Sequence, residues 1–473
     1  MMHNDKKTYF NSIAPKRIKQ RRAKRYYWND ITKYCNYFIH EESSVLEIGC
    51  GTGELLNELK AKHKVGIDFS EEMIVQAKMQ FPELDVRVMD AENLNLNEQF
   101  DVIILSNLIG YLDDIQKVLT QLKSVSHSNT KIIISYYSFI WEPVLKFGEF
   151  IGYKTKTPNQ NWLSLAEINN ILYLSGFHVY RNSRRMIFPI YIPLISEFMN
   201  GFLAKMPFFR LFSINNFSFA KNIQPERIEV IEKKYSVSVI IPARNESGNI
   251  ENALVRMPVL GNSTELIFVE SNSTDDTWKK IQELKIKFDA THNIQCFKIS
   301  ENGKNAAVRK GFEMARGEVL MILDADLTVA PEDLTKFYEA IASGKGDFIN
   351  GSRLVYPMEK EAMRFLNRVG NKFFSNTFSW LLDQRFKDTL CGTKVMFKKD
   401  YRKLIINRKF FGDFDPFGDF DLLFGAHKLN LCIIELPVRY HERTYGRTNI
   451  SRFKHGFILL KMCFFAARKI KFI

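Results

Sequence analysis

The sequence contains few cysteines, and none of them lies close to another. The six cysteines among its 473 residues are Cys35, Cys50, Cys296, Cys391, Cys432 and Cys463. Such wide spacing predicts neither a disulfide framework nor a zinc site built from paired cysteines. The sequence also lacks an N-terminal signal peptide and any uninterrupted apolar run of about 18 residues, the length that a membrane-spanning helix needs. These absences predict a protein of the reducing cytoplasm.

Negative charge is scarce at the two ends of the chain. Residues 1–25 and 439–473 each hold nine Lys or Arg and a single acidic residue, so they carry most of the formal net charge of +14. The middle of the chain is therefore nearly neutral. Basic ends suit nucleic acid or an anionic membrane surface, and they also suit ordinary solvated helix faces. These alternatives stay open for the basic run of residues 16–22.

Short apolar runs alternate with amphipathic runs twice along the chain. Strands are predicted to begin at Val45, Lys64, Val86, Val102 and Ile132, and again at Val237, Leu266 and Val319. Alternation at this spacing predicts a doubly wound α/β domain with a parallel sheet in each half. A chain of this length, with 45% hydrophobic residues, is large enough to form two cores.

The predicted domain boundaries follow changes in composition. Residues 186–235 are rich in apolar side chains but are interrupted by Pro189, Pro193 and Pro207, which excludes one long helix. The predicted segments are a basic helical arm (1–40), a first α/β domain (41–185), an apolar cap and linker (186–235), a second α/β domain (236–455) and an amphipathic C-terminal helix (456–473).

A glycine-rich turn follows the first predicted strand. Gly49, Gly51 and Gly53 let the backbone turn sharply and approach a ligand closely. The dinucleotide fingerprint would place its third glycine at position 54, which is a glutamate, so a pyrophosphate cradle is not predicted. Glu47, two residues before the first glycine, instead suits a cationic cofactor. Asp68, at the end of the second strand, suits the two hydroxyls of a ribose.

Four stretches resemble, in the same order, the motifs of class I S-adenosylmethionine-dependent methyltransferases. They are residues 45–53, 66–70, 90–92 and 100–111. The resemblance implies a Rossmann-like domain that binds S-adenosylmethionine. The expected cofactor contacts are Glu47, Gly49, Gly51, Gly53, Asp68, Asp90, Ala91 and Asn107.

The methyl acceptor is expected under residues 136–190, which are rich in Tyr, Trp and Phe. The sequence does not identify a catalytic base in the first domain. Tyr111, His127 and His178 are candidates, and an acceptor that is already nucleophilic needs no base, because methyl transfer depends mainly on alignment.

Two carboxylates, Asp324 and Asp326, follow an apolar strand of the second domain. Such a pair is costly unless a cation neutralises it, and a hard divalent ion that bridges to a diphosphate does so. Mg²⁺ or Mn²⁺ is therefore the expected metal. The ends of two other strands carry Asn245, Glu270 and Asp275, whose oxygens can hold a base and a ribose.

Residues 303–311, 351–353 and 388–394 resemble the GT-A glycosyltransferases of family 2, in particular the polyprenyl-phosphate sugar synthases. Leu390 stands where those enzymes have a glutamine. The resemblance implies inverting sugar transfer from a nucleotide-diphosphate sugar to a lipid phosphate or a glycan. We expect a UDP-sugar rather than a GDP-sugar, a choice that depends on pocket contacts and not on these motifs. The complete fold prediction is α/β: two tandem doubly wound domains, a Rossmann-like class I methyltransferase and then a GT-A glycosyltransferase.

The same resemblance implies roles for individual residues. The implied donor contacts are Pro242, Asn245, Glu246, Glu270, Asp275, Lys304, Arg309, Asp324 and Arg353, with Asp324 and Asp326 as metal ligands. The implied acceptor contacts are Lys394, Arg443, Arg447 and Thr448. Lys304 and Arg309 would neutralise the leaving diphosphate. Asp419 or Asp421 would serve as the base for a sugar hydroxyl, whereas a lipid phosphate is already anionic and needs none.

Residues 456–467 are apolar except for Lys461. On a helix, Lys454, Lys461 and Arg468 share one stripe. The wide opposite arc carries Phe453, Phe457, Leu460, Phe464 and Phe465. Such a helix is too short to span a bilayer but suits one that lies on a bilayer surface. Packing against the protein's own sheet explains the same pattern, so both alternatives stay open.

The leading hypothesis is a bifunctional transferase of glycan or glycolipid biosynthesis, peripheral on the cytoplasmic face of a membrane. A second hypothesis keeps sugar transfer and makes the first domain a non-catalytic module that binds S-adenosylmethionine or docks a partner. An RNA methyltransferase would explain the basic run of residues 16–25 but nothing after Val237, so nucleic acid is not an expected partner.

Overall fold

The computed structural model describes residues 2–151, 157–158, 160–222, 234–289, 291–301, 303–353, 365–406, 418–443, 445 and 452–472. The chain divides into two compact units, Met1–Gln224 and Pro225–Lys471. Across the described ranges, no helix combines the length and the apolar character that crossing a membrane requires.

The first unit is built around one sheet. Its strands are β1 (Ser44–Ile48), β2 (His63–Asp68), β3 (Asp85–Val88), β4 (Phe100–Ser106), β5 (Ser126–Tyr137), β6 (Phe177–Arg185) and β7 (Asn215–Asn222). Its helices are α1 (Met2–Ala23), α2 (Arg25–Phe38), α3 (Glu54–Glu58), α4 (Glu71–Gln80), α5 (Ile115–Gln121), α6 (Glu142–Phe150) and α7 (Leu165–Leu174). Short helical turns follow at Glu197–Phe202, Leu203–Lys205 and Phe209–Phe212.

The strand order of the first sheet is β3-β2-β1-β4-β5-β7-β6. Strands β1 to β5 pair in parallel, whereas β7 is antiparallel to both β5 and β6. The chain order reverses between β1 and β4, the position at which doubly wound sheets open a binding crevice. Apolar strand residues such as Leu46 and Ile103, which are register partners, are fully buried in the core.

Strand β7 corrects the prediction of an entirely parallel sheet and of a cap and linker over residues 186–235. Its sequence alternates Asn, Ser and Lys with Phe and Ala, so it contains no apolar run that would mark a buried strand. All eight residues are nevertheless buried: β5 and β6 pair with the backbone on both sides, and Phe217 and Phe219 pack against Tyr34 and Phe38 of α2. Pairing and packing with distant parts of the chain, rather than an apolar run, therefore specify this strand.

The second unit also has seven strands among its described residues. They are β8 (Ser236–Ala243), β9 (Ser263–Ser271), β10 (Asn293–Ile299), β11 (Val319–Ile322), β12 (Phe348–Ser352), β13 (Lys394–Phe397) and β14 (Ile433–Pro437). Its helices are α8 (Ile250–Val255), α9 (Thr277–Phe288), α10 (Lys304–Met314), α11 (Leu334–Ala342), α12 (Phe365–Leu381), α13 (Lys398–Ile406), α14 (Asp419–Lys428) and α15 (Arg452–Ala466).

The strand order of the second sheet is β10-β9-β8-β11-β13-β12-β14. Strand β13 is antiparallel to β11 and β12, and the other pairs are parallel. Here the chain order reverses between β8 and β11, so the carboxyl ends of β8, β9 and β11 meet at one edge. The prediction of two tandem doubly wound α/β domains is confirmed, with one antiparallel strand in each sheet as the correction.

Candidate functional site

The turn between β1 and α3 has the backbone geometry that its glycines predict. Gly49, Gly51 and Gly53 have φ angles of +74°, +56° and +81°, which residues with a Cβ atom rarely adopt. The N–H groups of Gly49 and Cys50 donate to the carbonyl oxygen of Ile67 on β2. The turn is therefore fastened at the carboxyl ends of β1 and β2, beside the crevice of the sheet.

Asp68, at the end of β2, connects this turn to the next one. Its Oδ2 atom accepts from Gly51 N–H at 2.9 Å, and its Oδ1 atom accepts from Ser70 N–H at 2.9 Å. Burial raises the pKa of Asp68 above its usual value, although both backbone hydrogen bonds oppose the shift. Each carboxylate oxygen can accept a further hydrogen bond, as the predicted ribose contact requires. Asp90 and the buried Ala91 follow β3, the neighbouring strand.

Glu47 lies in β1 with only 2% of its surface exposed. Burial raises the pKa of its carboxyl group to about 8; the charge of Arg21 opposes the shift, and Glu54 and Asp68 add to it. Its Oε2 atom has no hydrogen-bond partner among the described residues. A buried acceptor of this kind, next to a glycine turn, fits the predicted cationic cofactor, S-adenosylmethionine.

Replacement of Glu47 by Gln is expected to remove part of the pH dependence of the first unit's stability. Between an unfolded pKa of about 4.3 and the folded value of about 8, the folded state holds a proton that the unfolded state releases. Wild-type stability therefore falls as the pH rises through this window. From pH 6 to pH 8 the wild type should lose about 2 kcal/mol that the Gln variant keeps. Chemical denaturation at both pH values measures this difference, and equal losses in the two proteins would contradict the assignment.

Helix α1 packs over the cofactor end of the sheet, which the sequence did not predict. Phe10 contacts Phe69 and Tyr111 edge to face, with ring centroids 5.7 and 5.2 Å apart. Asn11 Oδ1 accepts from the Ser70 hydroxyl at 2.6 Å. The predicted basic arm thus forms one wall of the candidate cofactor site. No pronounced apolar stripe marks α1, so the sequence carried little signal of this contact.

Asn107 follows β4 and has a φ angle of +53°. Its Nδ2 atom donates to the Tyr27 hydroxyl at 3.1 Å, and that hydroxyl donates to Asn215 Oδ1 at 2.7 Å. The Tyr27 ring stacks on Tyr137, with centroids 5.7 Å apart. This polar cluster lies at the carboxyl ends of β4 and β5. Of these residues, the sequence motifs indicate only Asn107, because Tyr27 and Asn215 come from distant parts of the chain.

The two histidines that were candidates for a methyl-transfer base lie far from the glycine turn, which suits a structural role. His127 lies near the start of β5 and His178 near the start of β6, so both are at the amino ends of strands, opposite the glycine turn. Tyr111 lies at the carboxyl edge, but burial raises its pKa to about 12. A phenol with that pKa is poorly suited to accept a proton near neutral pH, because little of it is ionised.

In the second unit, Asp324 and Asp326 follow β11, and each contacts a cation. Lys304 Nζ lies 2.6 Å from Asp324 Oδ1, and Arg443 Nη2 lies 2.5 Å from Asp326 Oδ2. Burial favours a higher pKa for Asp324, but the charge and the hydrogen bond of Lys304 outweigh it and hold the pKa below its usual value. Asp326 Oδ1 accepts from Thr328 N–H at 3.1 Å.

The same two carboxylates fit a divalent metal. Within the part of the chain that the structure describes, no group of three or more His, Cys, Asp or Glu side chains is arranged to hold one. Mg²⁺, however, is usually bound by one or two carboxylates together with phosphate oxygens of the substrate. Asp324, Asp326 and a donor diphosphate supply that set, and the same oxygen ligands suit Mn²⁺.

Arg443, predicted as an acceptor contact, bridges two of these acidic groups. Its Nη1 atom lies 3.2 Å from Glu246 Oε1, while its Nη2 atom contacts Asp326. Burial raises the pKa of Glu246 to about 7, against the lowering effects of Asn249 and Arg443. The guanidinium therefore lies beside the predicted metal and nucleotide residues, closer to the donor side than its motif implied.

Hydrogen bonds connect the loop after β8 to the loop after β9. Asn245, with a φ angle of +57°, donates its N–H to Ser273 Oγ at 3.1 Å. Its Oδ1 atom accepts from Thr274 N–H at 2.7 Å. The predicted donor residues on these strands and loops are Pro242, Asn245, Glu246, Glu270 and Asp275. They lie at adjacent carboxyl ends of the sheet, where a nucleotide can contact both loops.

Arg353 and Lys394 have protein partners in the structure. Arg353 donates from Nε and Nη2 to the two carboxylate oxygens of Asp388, at 2.6 and 2.9 Å. Burial opposes ionisation of Asp388, but Arg353 outweighs it and lowers the pKa to about 2. Lys394 is buried and donates to the carbonyl oxygen of Cys391. Direct contact of Arg353 with the donor and of Lys394 with the acceptor stays a prediction.

Arg309 and Asp421 lie next to each other. Arg309 Nη2 is 3.9 Å from Asp421 Oδ2, and Asp421 is buried near the start of α14. Asp419 is the first residue of α14, but its side chain lies outside the described part of the structure. Arg447 and Thr448 also lie outside it. The catalytic and acceptor roles of these residues stay predictions.

Replacement of Gly392 by Ala is expected to disable sugar transfer while the second unit stays folded. A Cβ atom at this position would collide with the Asp324 carboxylate and the Lys304 ammonium group. Displacement of a catalytic group by about 1 Å can lower the rate by roughly a hundredfold. The matched control is Gly370→Ala, since a Cβ atom at Gly370 on α12 meets nothing within 4 Å. Nucleotide release and thermal melting of both variants test this, and wild-type release by Gly392→Ala would contradict it.

Two family models match the chain. The model described as Methyltransferase domain matches residues 39–169, and the model described as Glycosyl transferase family 2 matches residues 238–405. Among solved structures, a SAM-dependent methyltransferase of Thermotoga maritima, described as a possible histamine N-methyltransferase, is 19% identical with a TM-score of 0.36. That match covers 45% of this chain and 97% of the other.

Curated relatives match the second unit. Dolichol-phosphate mannosyltransferases of Pyrococcus furiosus and Saccharomyces cerevisiae are 37% and 36% identical to this chain over 138 and 110 residues. These stretches cover 29% and 22% of this chain, and 38% and 40% of the two relatives, so the chain spans less than half the length of each. The two family matches have the order that the sequence motifs predict: the chain carries a methyltransferase domain followed by a glycosyltransferase family 2 domain.

Proposed function

We propose that the protein is a bifunctional transferase. The first unit transfers a methyl group from S-adenosylmethionine, and the second transfers a sugar, with inversion, from a nucleotide-diphosphate sugar to a lipid phosphate. The observation that carries the second activity is the arrangement of Asp324 with Lys304 and Asp326 with Arg443 at the end of β11. The dolichol-phosphate enzymes among the relatives support the lipid phosphate over a glycan acceptor.

In the second unit, Asp324 and Asp326 would hold the metal, which supplies positive charge to the donor diphosphate. Lys304, already 2.6 Å from Asp324, and Arg309 stabilise the negative charge that develops on the leaving group. Attack by a phosphate oxygen on the anomeric carbon, from the face opposite the leaving diphosphate, inverts that carbon. A phosphate is anionic before it attacks, so Asp421 need not accept a proton and can position Arg309 instead.

The position of Arg443 also supports a lipid phosphate as the acceptor. Its guanidinium shares its charge between Glu246 and Asp326. A planar guanidinium binds phosphate oxygens in pairs, and an incoming anionic headgroup would compete with these carboxylates for it. We assign Arg443 to the acceptor headgroup and Glu246 to the nucleotide. UDP is the proposed nucleotide, to be tested against GDP in a donor panel.

In the first unit, the glycine turn and Asp68 would hold the adenosyl part of the cofactor, and Glu47 would face its positive charge. No base with a suitable pKa has been identified among the candidate residues at the carboxyl edge. The acceptor is therefore proposed to be nucleophilic before it binds, and the protein contributes alignment. The same observation favours a second candidate function, in which the first unit binds S-adenosylmethionine without transferring its methyl group.

We propose that α15 contacts a membrane surface. One face of this helix is buried and includes Leu459, Met462 and Cys463. Phe457, Leu460 and Phe464, at a spacing of three and four residues, form an exposed apolar stripe. The helix thus combines the two alternatives: it packs on the protein and still presents aromatic side chains outward.

Replacement of Phe457 and Phe464 by Ser is expected to weaken vesicle binding by roughly tenfold, because two exposed aromatic rings lose their apolar contact with lipid. Folding should be unaffected, since both side chains are exposed. Co-sedimentation with phosphatidylglycerol vesicles measures the binding. Val259→Ser, which alters another exposed apolar residue of the second unit, is the control. Unchanged sedimentation of the double variant would exclude the stripe from membrane contact.

A donor panel tests the proposed sugar transfer. UDP- and GDP-sugars are incubated with the full chain and a polyprenyl phosphate, and released nucleotide is measured with and without a chelator. Transfer that requires both the lipid phosphate and a divalent ion supports the proposal. Release that occurs with a glycan acceptor and not with the lipid would overturn the acceptor assignment, and release that persists in excess chelator would overturn the metal.

A further inference from the structure

The first unit exposes a large apolar surface, one part of which lies in the segment expected to cover the methyl acceptor. We call it the first-unit apolar surface; it comprises residues 139–151, which include α6, and residues 190–212. None of the residues of α6 is buried. The most exposed large apolar side chains in the two segments are Phe147, Phe150, Leu194 and Phe208. Trp141 Nε1 donates to the Phe212 carbonyl oxygen at 3.0 Å, which joins the segments into one surface.

Many backbone N–H and carbonyl groups in and next to residues 190–212 form hydrogen bonds with side chains of the same segment. Asn200 Oδ1 accepts from the N–H groups of Ile187 and Phe188, at 2.8 and 2.9 Å. Ser196 Oγ accepts from Ile192 N–H at 2.7 Å and donates to the Ile190 carbonyl oxygen at 2.7 Å.

The amide nitrogen of Asn200 and the carboxylate of Glu197 form further hydrogen bonds within this segment. Asn200 Nδ2 donates to the Phe188 carbonyl oxygen at 2.6 Å. The carboxylate of Glu197 accepts from Leu194 N–H at 2.8 Å and from the Tyr191 hydroxyl at 3.0 Å. Backbone groups that are already paired within the protein can enter a less polar environment at little cost, so this hydrogen bonding is compatible with contact with lipid.

Basic residues border the same surface. The ring of Tyr26 contacts that of Tyr191 at 5.3 Å, and the Tyr26 hydroxyl accepts from Asn200 Nδ2 at 3.2 Å. This contact brings the junction between α1 and α2 to the edge of the surface. Arg22, Lys24 and Arg25 at that junction are all exposed. Exposed aromatic and aliphatic side chains beside a cluster of cations are what a bilayer with anionic headgroups attracts.

We propose that the first-unit apolar surface inserts into the headgroup region of an anionic bilayer, with Arg22, Lys24 and Arg25 contacting lipid phosphates. The inference goes beyond the stripe on α15 and rests in part on the proposed function, because a polyprenyl phosphate resides in a membrane. A second copy of the chain is the less favourable occupant, since two copies would bring like-charged basic clusters together.

The test compares three variants of the full chain. The first, Phe150→Ser/Leu194→Ser/Phe208→Ser, removes the most exposed apolar groups. The second, Arg22→Gln/Lys24→Gln/Arg25→Gln, removes the basic border. The control, Tyr173→Ser/Leu174→Ser, alters side chains that are 76% and 58% exposed on α7, close to the 81% and 65% of Leu194 and Phe208. Binding is measured by co-sedimentation with vesicles of phosphatidylcholine alone or mixed with phosphatidylglycerol.

The apolar variant should lose roughly tenfold or more in binding to the mixed vesicles, and the control should match the wild type. The basic variant should lose roughly tenfold on mixed vesicles and little on phosphatidylcholine. Wild-type binding by the apolar variant would overturn the inference. A wild-type dimer in light scattering that becomes a monomer in the apolar variant would also overturn it, in favour of a second copy.

The outcome is separable from the proposed function. Sugar transfer to a short, water-soluble isoprenyl phosphate without vesicles should be equal in the wild type and the apolar variant. If the wild type does not transfer sugar to this soluble phosphate, the lipid-phosphate acceptor is rejected, and the conclusion from vesicle binding is unaffected. Loss of this transfer only in the apolar variant would mean that these side chains support the fold or the reaction, and would overturn their assignment to lipid.

Discussion

Replacement of Asp326 by Asn is expected to lower sugar transfer by roughly a hundredfold or more, since it removes one of the two charged ligands proposed for the metal. The amide can still accept from Thr328 N–H through its oxygen, so the loop after β11 should keep its shape. It cannot balance the charge of Arg443, which lies 2.5 Å from the carboxylate in the structure. The defect is therefore expected in metal binding and turnover rather than in folding.

A metal titration makes this prediction specific. The Asn variant should need a higher Mg²⁺ or Mn²⁺ concentration for half-maximal nucleotide release, and its thermal melting should stay close to that of the wild type. Asp333→Asn is the matched control, because Asp333 pairs with Lys336 at 2.9 Å outside the candidate site. If the Asp326→Asn variant has the same metal dependence as the wild type, Asp326 is not a metal ligand.

Much of the candidate chemistry was predictable because the relevant residues follow strands. Asp68 comes directly at the end of β2, and Asp324 and Asp326 directly after β11. In a doubly wound sheet the carboxyl ends of neighbouring parallel strands meet at one edge. Local sequence order therefore places these side chains without knowledge of any long-range contact. The same reasoning predicted the glycine turn, since its φ angles are properties of the local backbone.

The features that the sequence did not predict depend on contacts between distant residues. Arg443 and Glu246 are separated by 197 positions, and nothing in either motif specifies that they form an ion pair. Tyr27 and Asn215, which share a hydrogen bond beside Asn107, are 188 positions apart. Strand β7 is hidden for a related reason. Its burial comes from β5, β6 and α2, which are distant in the sequence, and its own residues alternate between polar and apolar.

Replacement of Asp68 by Ala is expected to weaken S-adenosylmethionine binding by roughly a hundredfold. Hydrogen bonds to a charged group are each worth about 1.5–3 kcal/mol, and the proposed ribose contact involves two of them. Asp68→Asn should give an intermediate loss, because its side chain keeps one acceptor oxygen. Equilibrium binding of tritiated cofactor measures both variants. Asp85→Ala, which removes an exposed partner of Arg87 at the start of β3, is the control.

Asp68 also fastens the glycine turn through Gly51 N–H, so a loss of binding has two explanations. A cofactor analogue that lacks one ribose hydroxyl separates them. If Asp68 contacts that hydroxyl, the wild type should bind the analogue more weakly than the cofactor, while the Ala variant should bind the two about equally. If Asp68 acts only on the turn, the analogue should cost both proteins the same factor. A wild type that binds neither ligand would instead reject the first unit as a cofactor-binding domain, whether catalytic or not.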